Sequence, residues 1–461
     1  MLKLYNYLSK KTEEFEAISG KSVGMYTCGP TVYDYVHIGN WRTFVFEDVL
    51  KRALEFSGFD VKHVMNITDI EDKIIKRASE EKVDFKIVTR KYEKAFKEDL
   101  SKLNIDPADY YPRATEHIEH MVALIGKLLE KGFAYKAEDG VYFSVEKFNK
   151  YGKLSGLPKG NLKKGARVND DQYDKENWSD FALWKFPSTL SARSGQVLQP
   201  RSSPGLEPSW EAPFGEGRPG WHIECSEMST DILGDQIDIH CGGVDLLFPH
   251  HENEIAQSEA ATGKKFVNYW LEGEHLLVDG QKMSKSLGNI YTLEDIFKKG
   301  FDPLALRYLF LTAHYRSKLN FTWGSLEAAG NALNNLREEV SRWDKSKIGC
   351  TEFERDFKNA LNNDLDLPRA VAIMWNMVKS DYPSSAKHKS LLLMDQVFGL
   401  GLDKVEIAEL SDEAKKLIKK REDLRNKGKF TESDRIRQEL LAMGVEVEDT
   451  PQGSHWKKVK N

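Results

Sequence analysis

Six side chains able to bind a soft metal fall in one thirty-residue stretch: His222, Cys225, His240, Cys241, His250 and His251, with Glu252 and Glu254 just behind. Four of the chain's twelve histidines lie there. His250 and Glu254 are four apart in a segment whose pattern predicts a helix over 250–260, so their side chains share one face and suit two ligands of one ion. Imidazole, thiolate and carboxylate together favour zinc over magnesium or calcium. The plainer alternative, a few buried histidines and a core cysteine, stays open on composition alone.

A second group is Lys282-Met283-Ser284-Lys285-Ser286-Leu287-Gly288-Asn289. Two lysines three apart, on a loop of small residues, can close over a triphosphate as compact, mobile charges. A merely solvated basic loop is the alternative. A third group, His37-Ile38-Gly39-Asn40, puts a histidine at a helix start beside a glycine that permits close approach, which suits an anion.

The elements that must position these groups read as a parallel sheet. The pattern predicts a strand over 23–27, a helix over 41–56 closed by Gly58, and a strand over 61–67. In such sheets ligands sit at the C-terminal strand ends, which places Cys28 and Thr68 on the ligand edge. A helical, charged pattern covers 91–131, and residues 238–240 read as the end of another strand. Residues 188–209, rich in Ser, Pro and Gly, read as a surface loop. Beyond Phe310 the pattern turns helical, over 326–343, 368–378 and 390–398. A charged helix over 411–427 follows, then one capped by Thr431 and ending at Gly444, a short strand over 445–447 and a turn at Pro451-Gln452-Gly453. No internal repeat is evident.

Composition bounds these readings. The 461 residues exceed one ordinary domain. With 40% hydrophobic and 30% charged residues the chain is globular rather than disordered. No apolar run is long enough to span a membrane, and the first ten residues hold no apolar signal core, so a cytoplasmic protein is expected. Four cysteines (Cys28, Cys225, Cys241, Cys350) in such a length do not make a disulfide framework. A net charge of −5 excludes a wholesale basic coat but not a local basic face.

Taken together, the three groups resemble class I aminoacyl-tRNA synthetases. His37 to Asn40 resembles their HIGH signature, and Lys282 to Ser286 matches their KMSKS signature letter for letter. The phrases Met25-Tyr26-Thr27-Cys28-Gly29-Pro30-Thr31-Val32-Tyr33-Asp34, Asn66-Ile67-Thr68-Asp69-Ile70, Gly220-Trp221-His222-Ile223-Glu224-Cys225-Ser226 and Phe248-Pro249-His250-His251-Glu252-Asn253-Glu254 resemble the cysteinyl-tRNA synthetase family. The likeness runs from about Leu4 to Trp456.

The resemblance implies one Zn2+ held by Cys28, Cys225, His250 and Glu254, with His251 the rival ligand. It also implies an amino-acid pocket of Thr68, Trp221, His240 and Asp245. ATP would meet His37, Gly39, Asn40 and Lys285, with His37, Lys282 and Lys285 serving the phosphates in the transition state and Mg2+ accompanying ATP. The implied reaction activates L-cysteine with ATP and loads it onto tRNA(Cys), with zinc selecting the substrate thiolate. A paralogous ligase that transfers cysteine to an amino sugar is the alternative; it would lack an anticodon domain.

The implied fold is α/β: a Rossmann-type catalytic domain (1–125 and 216–275) with an inserted connective region (126–215) and a KMSKS-loop region (276–310). A helical bundle (311–402) and a small mixed α/β anticodon-binding domain (403–461) would follow. The expected oligomeric state is a monomer. Lys415, Lys416, Lys419, Lys420 and Arg421 form a basic run suited to tRNA phosphates, and Arg435, Arg437 and Trp456 suit unpaired bases, although interleaved acidic residues also fit a solvated helix. Three positions depart from the family pattern: Asn40 replaces a histidine, Cys241 stands where a glycine is expected, and the 188–209 loop is long.

Overall fold

The structure is a computed structural model and describes residues 1–156, 162–168, 178–187, 207–344, 348–405, 411–450 and 453–458. Its centre is a four-stranded, wholly parallel sheet. Strand β1 (Ser22–Thr27) runs into helix α1 (Ile38–Phe56) and strand β2 (Asp60–Met65). Much later in the chain come α2 (Trp221–Leu233), β3 (Ile237–Gly243), α3 (Glu252–Thr262) and β4 (Val267–Gly273). The spatial order is β4-β3-β1-β2. Thr27 pairs with Met65 on one side and Cys241 on the other. The two halves wind outward from the β1–β3 seam, and a crevice forms at such a reversal, beyond the C-terminal strand ends.

Strand alternation settles the place of Cys241. Neighbouring side chains on β3 point to opposite faces. Cys241 goes with Ile239 and Leu271 into the core that α1 covers, alongside Trp41, Val45 and Val49. His240 faces the other way and stacks on Trp270, with ring centroids 4.4 Å apart. Cys241 is therefore a core residue and neither a stray thiol nor a rival ligand, because its face of the sheet is the one packed on α1.

Between the halves lies a second sheet, built from Ala134–Lys136, Gly140–Phe143, Leu162–Val168, Trp178–Lys185 and Arg218–Pro219. Its last short strand pairs with Trp178–Lys185 and delivers the chain to Gly220 and the start of α2. Gly220 donates to Leu183 O at 2.9 Å, and a Cβ there would sit 2.1 Å from Ala182 O, so only glycine fits. The inserted sheet thus fixes where Trp221 begins α2.

Four longer helices follow: Trp323–Ser341, Thr351–Leu361, Leu367–Val378 and Ser384–Phe398. The first and last begin earlier than their apolar pattern predicts, because Thr322 caps the first turn of one and Pro383 precedes the other. Pro368 lies in the first turn of its helix, where a missing N–H costs nothing. Arg307 joins this bundle to the sheet. It is fully buried and donates to Asp48 on α1 (2.5 Å), to Phe398 O (2.6 Å) and to Leu103 O (3.1 Å).

The C-terminal unit contains helices Asp412–Asn426 and Phe430–Ala442 and a hairpin of Val445–Thr450 with Gly453–Lys458. Ala414, Ile436, Leu440, Val445 and Val447 form its small core. The expected cap Thr431 lies inside the helix instead, and Lys429 occupies the capping position. The charged stretch 91–131 is two helices, Phe85–Lys102 and Ile118–Glu130, since the chain between them runs back along β2, as in Met65 N to Tyr110 O at 3.0 Å. Residues 188–206 of the expected surface loop lie outside the described residues.

Candidate active site

The loop after β1 is held down at both sides. Cys28 N donates to Cys241 O (3.3 Å) and Gly29 N to Asn66 Oδ1 (2.9 Å). A Cβ on Gly29 would meet Asn66 O at 1.7 Å, so this position requires glycine. His37 then caps α1. Its Nδ1 accepts from Asn40 N at 3.2 Å, and burial lowers its pKa, with Asp245 nearby opposing the shift. A neutral His37 whose Nδ1 accepts carries its proton on Nε2, ready to donate to an anion at the helix N-terminus.

A cavity of about 260 Å³ opens at the β1–β3 seam. His37, Asn40, Thr68, Trp221 and Asp245 line it, as do Cys28, Cys225 and His250. Thr68 Oγ1 is fixed between Asn66 Nδ2 and Glu224 Oε2, each at 3.1 Å. Trp221 lies over the His250 ring, centroids 4.3 Å apart. Asn66 and Glu224 were quoted only within the Asn66–Ile70 and Gly220–Ser226 phrases and given no role, and Lys73, which lines the cavity with Asn66, was not singled out; its only signal is closeness to the phrase around Thr68.

Behind the cavity lies a cluster of buried donors. The ligand atoms of Cys28, Cys225, His250 and Glu254 all fall within 4.8 Å of one another. A second set, Cys28, His240, His251 and Glu254, meets the same limit and shares two members with the first. The first set reaches the cavity through three members, Cys28, Cys225 and His250, and the second through Cys28 alone. His250 Nε2 is 3.1 Å and His240 Nε2 2.9 Å from the two oxygens of Glu254. His240 is not among the cavity-lining residues, contrary to its expected place in the amino-acid pocket: it projects behind Glu254, stacked on Trp270.

The electrostatics of the cluster follow from burial. Desolvation pushes the Glu254 carboxyl up to about 8, with Cys225 adding to the shift. It pushes the Cys28 thiol well above its ordinary value. It lowers His250 to about 4 and His251 to about 3. Every one of these groups is driven toward its neutral form. A dication would reverse that preference for the Cys28 thiol and the carboxylate and would use the neutral imidazole as it stands, so the donor set fits zinc. The surrounding hydrogen bonds fit as well: His222 Nδ1 is 2.8 Å from His250 Nδ1, and His251 Nδ1 is 2.8 Å from Glu272 Oε1.

The lysine pair belongs to a separate segment. Lys282 is exposed on the two-residue strand Gln281–Lys282, and Lys285 begins a single turn, Lys285–Leu287. The segment is nonetheless tied to the helix start. Ile38 N donates to Tyr291 O at 2.8 Å, and a Cβ on Gly39 would sit 2.2 Å from Met283 Cε. The expectation that Arg421 faces tRNA is corrected: it is fully buried, on the inner side of its helix, while Lys415, Lys416, Lys419, Lys420, Arg435 and Arg437 are exposed. Trp456 pairs with Val447 in the hairpin. Among the described residues no helix is long and apolar enough to cross a membrane.

Residues 14–331 match the family model of the class I (C) tRNA synthetase catalytic domain, and residues 408–456 match that of the cysteinyl-tRNA ligase anticodon binding domain. A cysteine–tRNA ligase of Brachyspira hyodysenteriae is 42% identical over 98% of this chain and 98% of its own. Those of Thermococcus onnurineus (99% and 99%) and Chlamydia pneumoniae (98% and 97%) are 43% and 45% identical. Among solved structures, methionyl-tRNA synthetase of Mycobacterium tuberculosis in complex with methionyl-adenylate superposes with a TM-score of 0.58 over 84% of this chain and 93% of that one. At 14% identity that likeness speaks for the fold alone. The matches at 42–45% identity run essentially end to end, and on that ground the chain belongs to the cysteine–tRNA ligase family of class I aminoacyl-tRNA synthetases.

Proposed function

We propose that the chain activates L-cysteine with ATP to cysteinyl-adenylate and transfers it to the 3'-terminal adenosine of tRNA(Cys). The observation that carries this reading is the single cavity in which a helix N-terminus, His37 and Asn40 face Thr68, Trp221 and Asp245 across a buried Cys/His donor set. Cys28, Cys225, His250 and Glu254 would hold Zn2+. When bound, zinc supplies a Lewis-acidic site for the substrate sulfur, favouring a thiolate over the hydroxyl of serine. That selection exceeds what an apolar pocket alone achieves between near-isosteres.

The remaining chemistry belongs to the chain's own groups. Asp245 pairs with the substrate ammonium, which needs a partner once desolvated. Trp221 closes the pocket over the cysteine side chain. The substrate carboxylate attacks the α-phosphorus of ATP in line, the α-phosphorus–oxygen bond to pyrophosphate breaks, and the mixed anhydride forms. His37 Nε2–H and the first N–H groups of α1 stabilise charge on the phosphate oxygens; Gly39 permits the close approach. Lys282 and Lys285 neutralise the departing pyrophosphate, a charge that Mg2+ brought with ATP would share. The ribose hydroxyl of tRNA then attacks the carbonyl, expelling AMP. No side-chain nucleophile takes part, so positioning and charge stabilisation account for the rate.

The exposed basic residues of the C-terminal unit contact tRNA phosphates in this reading. A monomer in the cytoplasm is proposed with it. The amino-sugar ligase alternative is not favoured, since that reading predicts no anticodon-binding domain and residues 408–456 match one. The test is ATP–pyrophosphate exchange with cysteine and with serine, before and after zinc removal, followed by charging of tRNA(Cys). Cysteine-specific exchange that collapses without zinc supports the reading; exchange indifferent to complete zinc loss overturns the thiolate selection.

A further inference from the structure

A second cluster of metal-ligating side chains lies outside the site described above. His117 and His120, at the start of helix Ile118–Glu130, face Glu227 and Asp231 on α2. One ligand atom from each of the four falls within 4.8 Å of the others. His117 Nδ1 is 3.0 Å from Glu227 Oε2 and 3.8 Å from Asp231 Oδ2. His120 Nδ1 is 3.3 Å from Glu227 Oε1 and 3.7 Å from Asp231 Oδ2. For nitrogen and oxygen ligands about 2.0–2.1 Å from an ion, the edge of a coordination tetrahedron is about 3.3 Å, in the middle of these separations.

Sequence spacing makes the set. His117 and His120 are three apart and Glu227 and Asp231 four apart, so each helix offers a pair on one face. Glu227 stands two residues beyond Cys225, which turns it to the opposite side of α2 from the cavity. A further observation points to a ligand. Glu227 has a side chain only 6% exposed, and its Oε2 lies 3.0 Å from His117 Nδ1, whose pKa it raises, yet neither atom makes a well-aligned hydrogen bond among the described residues. Two buried atoms 3.0 Å apart and poorly aligned for a hydrogen bond are also placed as two ligands of one ion would be. His120 and Asp231, 60% and 43% exposed, leave a path to solvent.

We propose that His117, His120, Glu227 and Asp231 form a second, solvent-accessible site for a divalent transition ion of the zinc class. Two imidazoles with two carboxylates select zinc, cobalt or nickel over magnesium and calcium. An ion here bridges the helix that enters the inserted region to the helix that carries Trp221 and Cys225.

The test uses the full-length protein already holding its tightly bound zinc. Added Co2+ is followed by absorption and added Zn2+ by calorimetry, with total metal counted after each step. The wild type should take up a second equivalent whose cobalt spectrum lacks thiolate charge-transfer bands. His120→Ala, at a mostly exposed position, should weaken that uptake at least about tenfold, and H117A/H120A should abolish it, both retaining the first zinc. Uptake that stops at one equivalent in the wild type overturns the proposal. So does a second equivalent bound equally well by H117A/H120A.

Discussion

His222 Nδ1 lies 2.8 Å from His250 Nδ1, with both rings buried. Burial lowers both pKa values, His250 to about 4, so near neutrality one proton is shared between two neutral imidazoles. With the proton on His250 Nδ1, its Nε2 lone pair faces Glu254 and the space between the donors. His222 thereby selects the tautomer in which His250 can be a ligand.

Replacing His222 should therefore weaken zinc without removing a ligand. His222→Ala is expected to lower zinc affinity about 10- to 100-fold, measured by competition with a chromogenic chelator. Unchanged affinity would show that His250 needs no orienting partner.

Zinc uptake should release protons. Glu254, near 8 without metal, is largely protonated at pH 7, and the Cys28 thiol is protonated as well. Binding requires both to ionise, so affinity rises with pH, by about tenfold per unit for each proton lost. Calorimetry in buffers of different ionisation enthalpy gives the count, and Glu254→Gln should reduce it by about one.

Gly29→Ala forces a methyl into the carbonyl of Asn66, 1.7 Å away, and must part the ends of β1 and β2 beside Cys28. The expected loss is about 1–3 kcal/mol of stability in urea unfolding, with faster zinc release. Gly126→Ala, on helix Ile118–Glu130 with nothing within 4 Å of its added Cβ, is the control and should stabilise by about 0.5–1 kcal/mol.

Arg307→Met should cost about 3–5 kcal/mol, read from the urea midpoint. It removes a buried cation from Asp48, which among the described residues keeps Arg52 as its charged partner at 2.9 Å, and takes from Phe398 O the Arg307 donor. Because Arg307 is the seam between sheet and bundle, uncoupled unfolding of the two parts is also expected.

Much of this was legible in residues alone. The HIGH and KMSKS motifs, the pairing of His250 with Glu254 by helical spacing, and the strand–helix–strand run around Cys28 are local features, and local geometry carries them. Arg421 and Thr431 were misplaced because a helix's charged pattern does not say which of its sides another element covers.

The sequence by itself determined which chemistries were present: soft-metal donors, mobile phosphate-binding cations and a cap histidine. Tertiary structure decided which donors meet. Cys28 and Cys225 are about two hundred residues apart in sequence, and only the β4-β3-β1-β2 order closes that distance. Strand pleating sent Cys241 into the α1 core and His240 behind Glu254, although the two are adjacent in the chain. Burial, a property of the folded whole, then pushed Cys28, His250, His251 and Glu254 toward their neutral forms, since removing water penalises charge wherever no partner ion or dication compensates it.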